Sequence, residues 1–185
     1  MLYFVSTNKH KFLEIKRVLA EYGIKLSWKN ISLSEPDSTK IEDIAKKKAE
    51  QAYKIINKPL IVEDTGVFFE GFHNFPGSKA RRVFERLGYE GLLNIVAKKS
   101  DRAYFKTVIC FTDGKIKKLF VGKLRGKISQ KVYCKNKNVM PYERIFIPCG
   151  SKKPLCMLLR NEKNKFSHRA KAARKLALWL KANFF

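Results

Sequence analysis

The first half of the chain alternates short apolar runs with stretches of helical periodicity, whereas the second half reads mainly as hairpins, and that order leaves few architectures open. Leu2-Tyr3-Phe4-Val5 reads as a buried strand, and Phe12, Ile15, Leu19 and Tyr22 then recur at helical spacing until Gly23 stops the helix. Thr39 and Glu42 predict a capping box ahead of a second helix that carries Ile41, Ile44, Ala45, Ala49, Ala52, Ile55 and Ile56 on one stripe. Leu60-Ile61-Val62 is a short apolar strand that ends in Glu63-Asp64-Thr65-Gly66. Pro76-Gly77 marks a turn, a helix around Ala80 to Leu87 is closed by Gly88, and a shorter helix covers Gly91 to Lys98. Ala103 to Thr112, the Asp113-Gly114 turn, and Ile116 to Val121 read as a β-hairpin, with another strand or two between Gly122 and Ser129. Ile145 to Pro148 and Leu155 to Leu159 are shorter strand candidates. Ser167 caps a last helix that turns Ala172, Ala173, Leu176, Trp179 and Leu180 inward. With no repeat and no linker, residues 1–185 are expected to form one α/β domain with a mixed sheet.

Composition narrows the class. With 45% hydrophobic and 12% aromatic residues the chain can bury a sizeable core. No apolar run approaches the roughly 20 residues that cross a bilayer, and the strand-like start lacks the basic, apolar and small-residue order of a leader. A cytoplasmic protein without a membrane is expected. Cys110, Cys134, Cys149 and Cys156 form no Cys-x-x-Cys pair and read as reduced structural thiols. The net charge of +24 is lopsided: residues 91–185 contain only the acids Asp101, Asp113, Glu143 and Glu162. Such a field attracts polyanions, either nucleotide phosphates in a cleft or the backbone of nucleic acid, unless it is simply a solvated lysine-rich surface.

Three clusters carry the chemistry. Adjacent carboxylates repel, so burying Glu63-Asp64 requires a compensating cation or donor, unless the pair is exposed in a loop. Mg²⁺ takes oxygen ligands, and this pair with Glu35 as a third acid suffices to hold it. Ser6-Thr7-Asn8-Lys9-His10-Lys11 joins a strand to a helix start, where backbone N–H groups and the dipole suit a phosphate. Asn8 and Lys11 add side-chain donors; the alternative is an ordinary cap among solvated lysines. Ser167-His168-Arg169, with Lys163 one turn upstream, repeats the arrangement, and two anion sites suit a polyphosphate. Lys48 falls on the apolar stripe, so its ammonium either snorkels or points at something negative. Arg81 and Arg82 either clamp a phosphate or form a solvated helix face.

In order, these blocks resemble the inosine triphosphate pyrophosphatase family, the Ham1-like non-canonical purine nucleoside triphosphate pyrophosphatases, in its archaeal form. The likeness rests on Ser6 to Lys11, Ile61-Val62-Glu63-Asp64-Thr65-Gly66, Asn74-Phe75-Pro76-Gly77, Arg102-Ala103-Tyr104-Phe105, Ile145-Phe146-Ile147-Pro148 and Glu162 to Arg169. It implies a two-lobed α/β fold with an elongated mixed sheet, a nucleotide cleft between lobes, and a homodimer. The implied reaction converts ITP, dITP or XTP to monophosphate and pyrophosphate with Mg²⁺. By position, Glu35, Glu63 and Asp64 would serve the metal and the attacking water, with Asp64 as general base. Asn8, Lys11, Lys48 and Lys163 would hold the triphosphate, with Arg81 or Arg82 assisting and Ser6 and Thr7 among the substrate-binding residues of the first loop. Thr65 would face the sugar or phosphate side and His168 and Arg169 the purine's oxygen-bearing edge, with Tyr142 and Glu143, in the stretch that reads the base, and Ser167 also binding substrate. Two departures stand out, the first in the loop that approaches the phosphates and the second in the stretch that reads the base. Thr7 replaces a glycine, and Met140-Pro141-Tyr142-Glu143-Arg144 stands where a Phe-Gly-Tyr/Trp-Asp-Pro stretch is usual. Two other readings stay open: the same chemistry with another base preference, or a nucleic-acid-binding protein that keeps the fold, against which the three acids argue because they would repel a phosphate rail.

Overall fold

Apolar segments that outnumber what one helix can cover are assembled here around a single sheet. The computed structural model describes residues 1–73 and 75–184; Asn74, from the Asn-Phe-Pro-Gly block, lies outside them. Strand β1 (Leu2–Val5) leads into helix α1 (Lys9–Ala20), followed by β2 (Leu26–Lys29), α2 (Ile41–Ile56), β3 (Leu60–Phe69) and the two-residue β4 (Pro76–Gly77). Helix α3 (Ala80–Ala97), β5 (Arg102–Thr112), β6 (Lys117–Ile128), β7 (Phe146–Pro148), α4 (Arg160–Phe166) and α5 (His168–Phe184) complete the order. The 7-stranded sheet runs β2-β1-β3-β5-β6-β7, with β4 beside β3. β1 is parallel to β2 and β3, and the remaining pairs are antiparallel. The mixed sheet matches the reading of the sequence, because helical crossovers early and hairpins late produce parallel and antiparallel pairs respectively.

Three apolar clusters share the sheet. Phe4, Ile15, Leu19, Phe111 and Leu176 fill the space under α1 and α5; Ala45, Ala49, Leu60 and Val108 fill the opposite face under α2. A third cluster, with Phe69, Leu92, Phe105 and Phe146, lies toward α3 and β7. Burying each such Leu, Ile or Phe contributes roughly 1.5–3 kcal/mol. Gly122 is essential to this packing: a Cβ there would collide with the His168 carbonyl, so only glycine lets the start of α5 lie against β6.

Several local expectations are corrected. The capping box at Thr39 does not form; the cap position is Lys40, without a side-chain bond. Ile55 leaves the stripe and is 60% exposed, while its neighbour Ile56 packs against the cluster under α2. β3 does not stop at Val62 but runs ten residues through Glu63 and Asp64, since β5 pairs with it along its length. The region after Gly122 is the continuation of β6, not further strands, and Leu155–Met157 is a 3₁₀ turn, not a strand. Gly88 breaks α3 as its composition suggests, at φ 59°. Helix α4 and strand β2 were not anticipated. Among the described residues no helix is long and apolar enough to cross a membrane.

Candidate active site

The central position of β3 delivers the acidic pair into the interior. Successive strand residues face opposite sides, yet both Glu63 and Asp64 are buried, and each meets cations from the helices on its own side. Arg169, from the first turn of α5, places Nε 3.2 Å from Glu63 Oε1. Lys11, from α1, lies 2.6 Å from Glu63 Oε2. Thr65 and Thr107 hydroxyls also reach Oε1, the latter at 3.2 Å. Burial by itself would raise the Glu63 pKa, but Lys11 and Arg169 outweigh it and hold the carboxyl far below the ordinary carboxylate range.

Asp64 is the contrasting case. Lys48 Nζ lies 3.0 Å from Asp64 Oδ1 and 2.8 Å from Glu35 Oε2, so the lysine on the apolar stripe points its charge at two carboxylates. Burial, reinforced by the neighbouring Glu63, nevertheless lifts the Asp64 pKa against the pull of Lys11 and Lys48. Its Oδ2 is buried without a hydrogen-bond partner. Two adjacent carboxyls therefore differ: one locked as an anion, the other displaced toward the range where a general base operates.

A cavity of about 870 Å³ opens over this pair. Ser6, Thr7, Asn8, Lys11, Glu35, Lys48, Glu63, Asp64, Thr65, Arg81, Arg82, Tyr142, Glu143, His168 and Arg169 line it. Lys163 and Ser167 do not. Lys163 is drawn to Glu143, at 2.9 and 3.1 Å, and borders a small side cavity that shares Met140 and Glu143 with the main one. Ser167 caps α5 by accepting the Ala170 N–H at 3.2 Å.

Several of the lining residues are also engaged by other groups of the protein. Asn8 Oδ1 accepts the N–H groups of His10 (3.0 Å) and Lys11 (3.2 Å), so two helix-start donors are satisfied within the chain. Arg169, expected against a base, is instead 2% exposed and tied to Glu14 Oε2 at 2.6 Å as well as to Glu63. His168 stacks on Phe105, with ring centroids 4.6 Å apart, and its Nδ1 lies 2.6 Å from Thr107 Oγ1. Burial and Arg169 push its pKa well below 6.5, leaving it neutral. Tyr142 gives its hydroxyl to the Ala80 carbonyl at 2.8 Å and is buried. Arg81 is 89% exposed at the rim, paired with Glu85. Among the described residues no three His, Cys, Asp or Glu side chains converge to hold a metal ion unaided: Glu63 is engaged elsewhere while Glu35 and Asp64 meet on Lys48.

Sequence reasoning did not find Glu14 and Thr107. Thr107 had a signal, since it alternates in phase with Phe105, Ile109 and Phe111 on β5 and so must be a polar residue facing inward.

Known proteins supply independent comparisons. The chain is 39% identical over 182 residues to a dITP/XTP pyrophosphatase of Hyperthermus butylicus, covering 98% of this chain and 95% of that protein. It is 36% identical over 179 residues to the dITP/XTP pyrophosphatase of Saccharolobus solfataricus, covering 96% and 92%. Among solved structures, a HAM1 protein from Coxiella burnetii superposes with a TM-score of 0.80 at 24% identity over 98% of this chain and all of that one, which speaks for the fold. The sequence profile of the Ham1 family matches residues 2–179, the span that holds the acidic pair, both flanking lysines and the start of α5, and the chain belongs to that family.

Proposed function

We propose that this protein hydrolyses non-canonical purine nucleoside triphosphates, dITP and XTP in particular and ITP with them, to the monophosphate and pyrophosphate. The observation that carries this reading is one cavity, of about 870 Å³, in which a carboxyl of raised pKa stands between Lys11 from the first turn of α1 and Lys48 from the middle of α2. That volume lies in the range of small-molecule sites, roughly 300–1,000 Å³. The relatives named dITP/XTP pyrophosphatase support the substrate class.

In this reading Asp64 takes the proton of the attacking water, whose oxygen bonds to phosphorus as the α–β anhydride breaks and pyrophosphate leaves. Lys11 and Lys48 neutralise charge on the triphosphate, with Ser6, Thr7 and Asn8 lining the phosphate end and Arg81 or Arg82 at the rim. Glu63 is fixed by Arg169 and orients Lys11. The donor set fits Mg²⁺: Asp64 keeps a buried free oxygen, Glu35 stands across Lys48, and Mg²⁺ is usually held by one or two carboxylates plus substrate oxygens and water. Such an ion would supply charge neutralisation on the phosphates. The base lies toward Phe105, His168, Met140 and Glu143, and the unusual Met140-Pro141-Tyr142-Glu143 wall sets which oxygen-bearing purine is preferred. Residues 1–185 act as one domain and pair as a homodimer.

Pyrophosphate release from dITP, XTP, ITP, dATP and dGTP with Mg²⁺, in native protein and Asp64→Asn, tests the proposal. Turnover of the first three that disappears in the variant supports it; no cleavage of any triphosphate sinks it.

A further inference from the structure

The cations that the cleft does not use are not spread evenly. β6 contributes Lys117, Lys118, Lys123, Arg125 and Lys127, α5 contributes Lys171, Arg174, Lys175 and Lys181 beyond the buried Arg169, and neither element contains an acid. β7 pairs with β6 only at residues 126–128, so among the described residues no strand covers the outer edge of β6 from Lys117 to Leu124. Lys175 and Lys171 lean over that edge and donate to the carbonyls of Val121 (2.8 Å) and Lys123 (3.1 Å). Arg125 follows on the same strand, and its carbonyl holds the Cys149 N–H at 2.9 Å, which brings the exposed Lys152 and Lys153 to the same end. Glu42 of α2, which lies close enough to feel Lys123, is already engaged by Lys106 at 2.5 Å.

We propose that the outer edge of β6 and the adjoining face of α5 form a docking surface for the phosphate backbone of nucleic acid, separate from the nucleotide cleft. Lys171 and Lys175 reach the edge from the α5 side, where Gly122 meets that helix, and Lys123 and Arg125 flank it from the α2 side, where Lys123 lies over the Tyr104 ring; all four are exposed, and none lines the cavity over Asp64. Two carbonyls two strand residues apart, and two lysines one helical turn apart, set the cations about 6 Å from one another. Neighbouring phosphates of a DNA strand, which wind around the axis, lie at about twice the ~3.4 Å axial rise from one another, so the two α5 lysines meet successive phosphates. A lipid surface fits less well: a helix that lies in a bilayer offers an apolar face, and the apolar face of α5 is spent on the sheet, leaving Leu178 and the last residue of the helix, Phe184, as its exposed large apolar side chains. The lysine caps also close the strand edge against pairing with another chain.

The test is fluorescence anisotropy of a fluorescein-labelled DNA duplex of about 20 base pairs with the full chain. Four phosphate contacts predict a Kd that rises on the order of 100-fold between roughly 50 and 200 mM salt. Lys123→Gln with Arg125→Gln, which leaves the α5 bonds to β6 in place, is expected to lower the slope of log K against log salt by about 1.8. Lys25→Gln with Lys29→Gln, of equal net charge at β2, toward the opposite end of the sheet, is expected to change binding less than about twofold, and both variants should release pyrophosphate as the native chain does, so this outcome is separable from that of the proposed hydrolysis. Equal weakening by the two variants, absence of duplex binding at the lower salt, or tighter binding to phosphatidylserine vesicles than to the duplex would overturn the proposal.

Discussion

Arg169 and Glu14, 155 positions apart in the chain, form a buried ion pair with Nη1 2.6 Å from Oε2. The same guanidinium holds Glu63, so α1, β3 and α5 are fastened by one side chain beneath the cleft. Burial disfavours a guanidinium charge, but Glu63 and Glu14 outweigh it and stabilise the ionised form. Removing one partner of a buried pair leaves charge uncompensated, at a cost of about 3–5 kcal/mol. Glu14→Ala is therefore expected to lower unfolding free energy by that order in urea titrations, whereas Glu14→Gln, which keeps an acceptor, should cost less than half as much.

Asp64 should betray its environment in the pH profile. Because burial and Glu63 raise its pKa above 3.8, the acid limb of kcat/KM is expected above the position of an ordinary aspartate, with activity rising as the carboxyl deprotonates. Asp64→Asn removes that limb and lowers kcat by roughly 10²–10⁴. Lys48→Met, which takes away an attractive charge 3.0 Å from Oδ1, should move the limb further toward alkaline pH. A limb unmoved by Lys48→Met would assign it to another group.

Much of this site was readable in advance where the signal is local. Ser6 to Lys11 join strand to helix within a few residues, and the Lys48 position follows from helical spacing alone. What depends on distant partners was not. Nothing near Glu14 announces Arg169, and Glu143 was expected at a base while its carboxylate is taken by Lys163. Arg169 did carry a warning, since it falls in helical phase with Ala172, Ala173, Leu176 and Leu180, which places a guanidinium on the buried face. The end of β3 was misplaced because Val67-Phe68-Phe69 resume the apolar run after four polar or small residues, and only pairing with β5 shows the strand to be continuous.

Stability should fall in two stages on acidification. His168 is kept neutral in the folded state, so its contribution is complete above about pH 6.5 and is lost as pH drops below that value. Glu63, held low, contributes fully above about pH 4.5 and loses that contribution as pH falls further. Asp64 acts oppositely, since its raised pKa costs stability as pH climbs from 3.8 upward. Each group contributes a slope of at most about 1.4 kcal/mol per pH unit. Urea midpoints measured from pH 7 to 4 are expected to decline first below 6.5, and His168→Gln should flatten that first decline while leaving the later one.

Lys163 and Glu143 allow structure and substrate binding to be separated. The ammonium reaches both carboxylate oxygens, at 2.9 and 3.1 Å, and Glu143 is nearly buried while bordering the main cavity. Lys163→Met alone strands that carboxylate, so a loss of several kcal/mol is expected by analogy with other buried pairs broken on one side, about 3–5 kcal/mol. Glu143→Gln in the same chain removes the stranded charge and should restore most of the stability in urea titrations. If the lysine serves only Glu143, the double variant should also regain the native KM for dITP. If it turns to the triphosphate when substrate enters, stability returns while KM stays raised, because the cation lost to the phosphate is not replaced. The second outcome is expected, since Lys163 comes from α4, whose C-terminus joins the start of α5, and its partner Glu143 borders the main cavity as well as the small one that Lys163 lines.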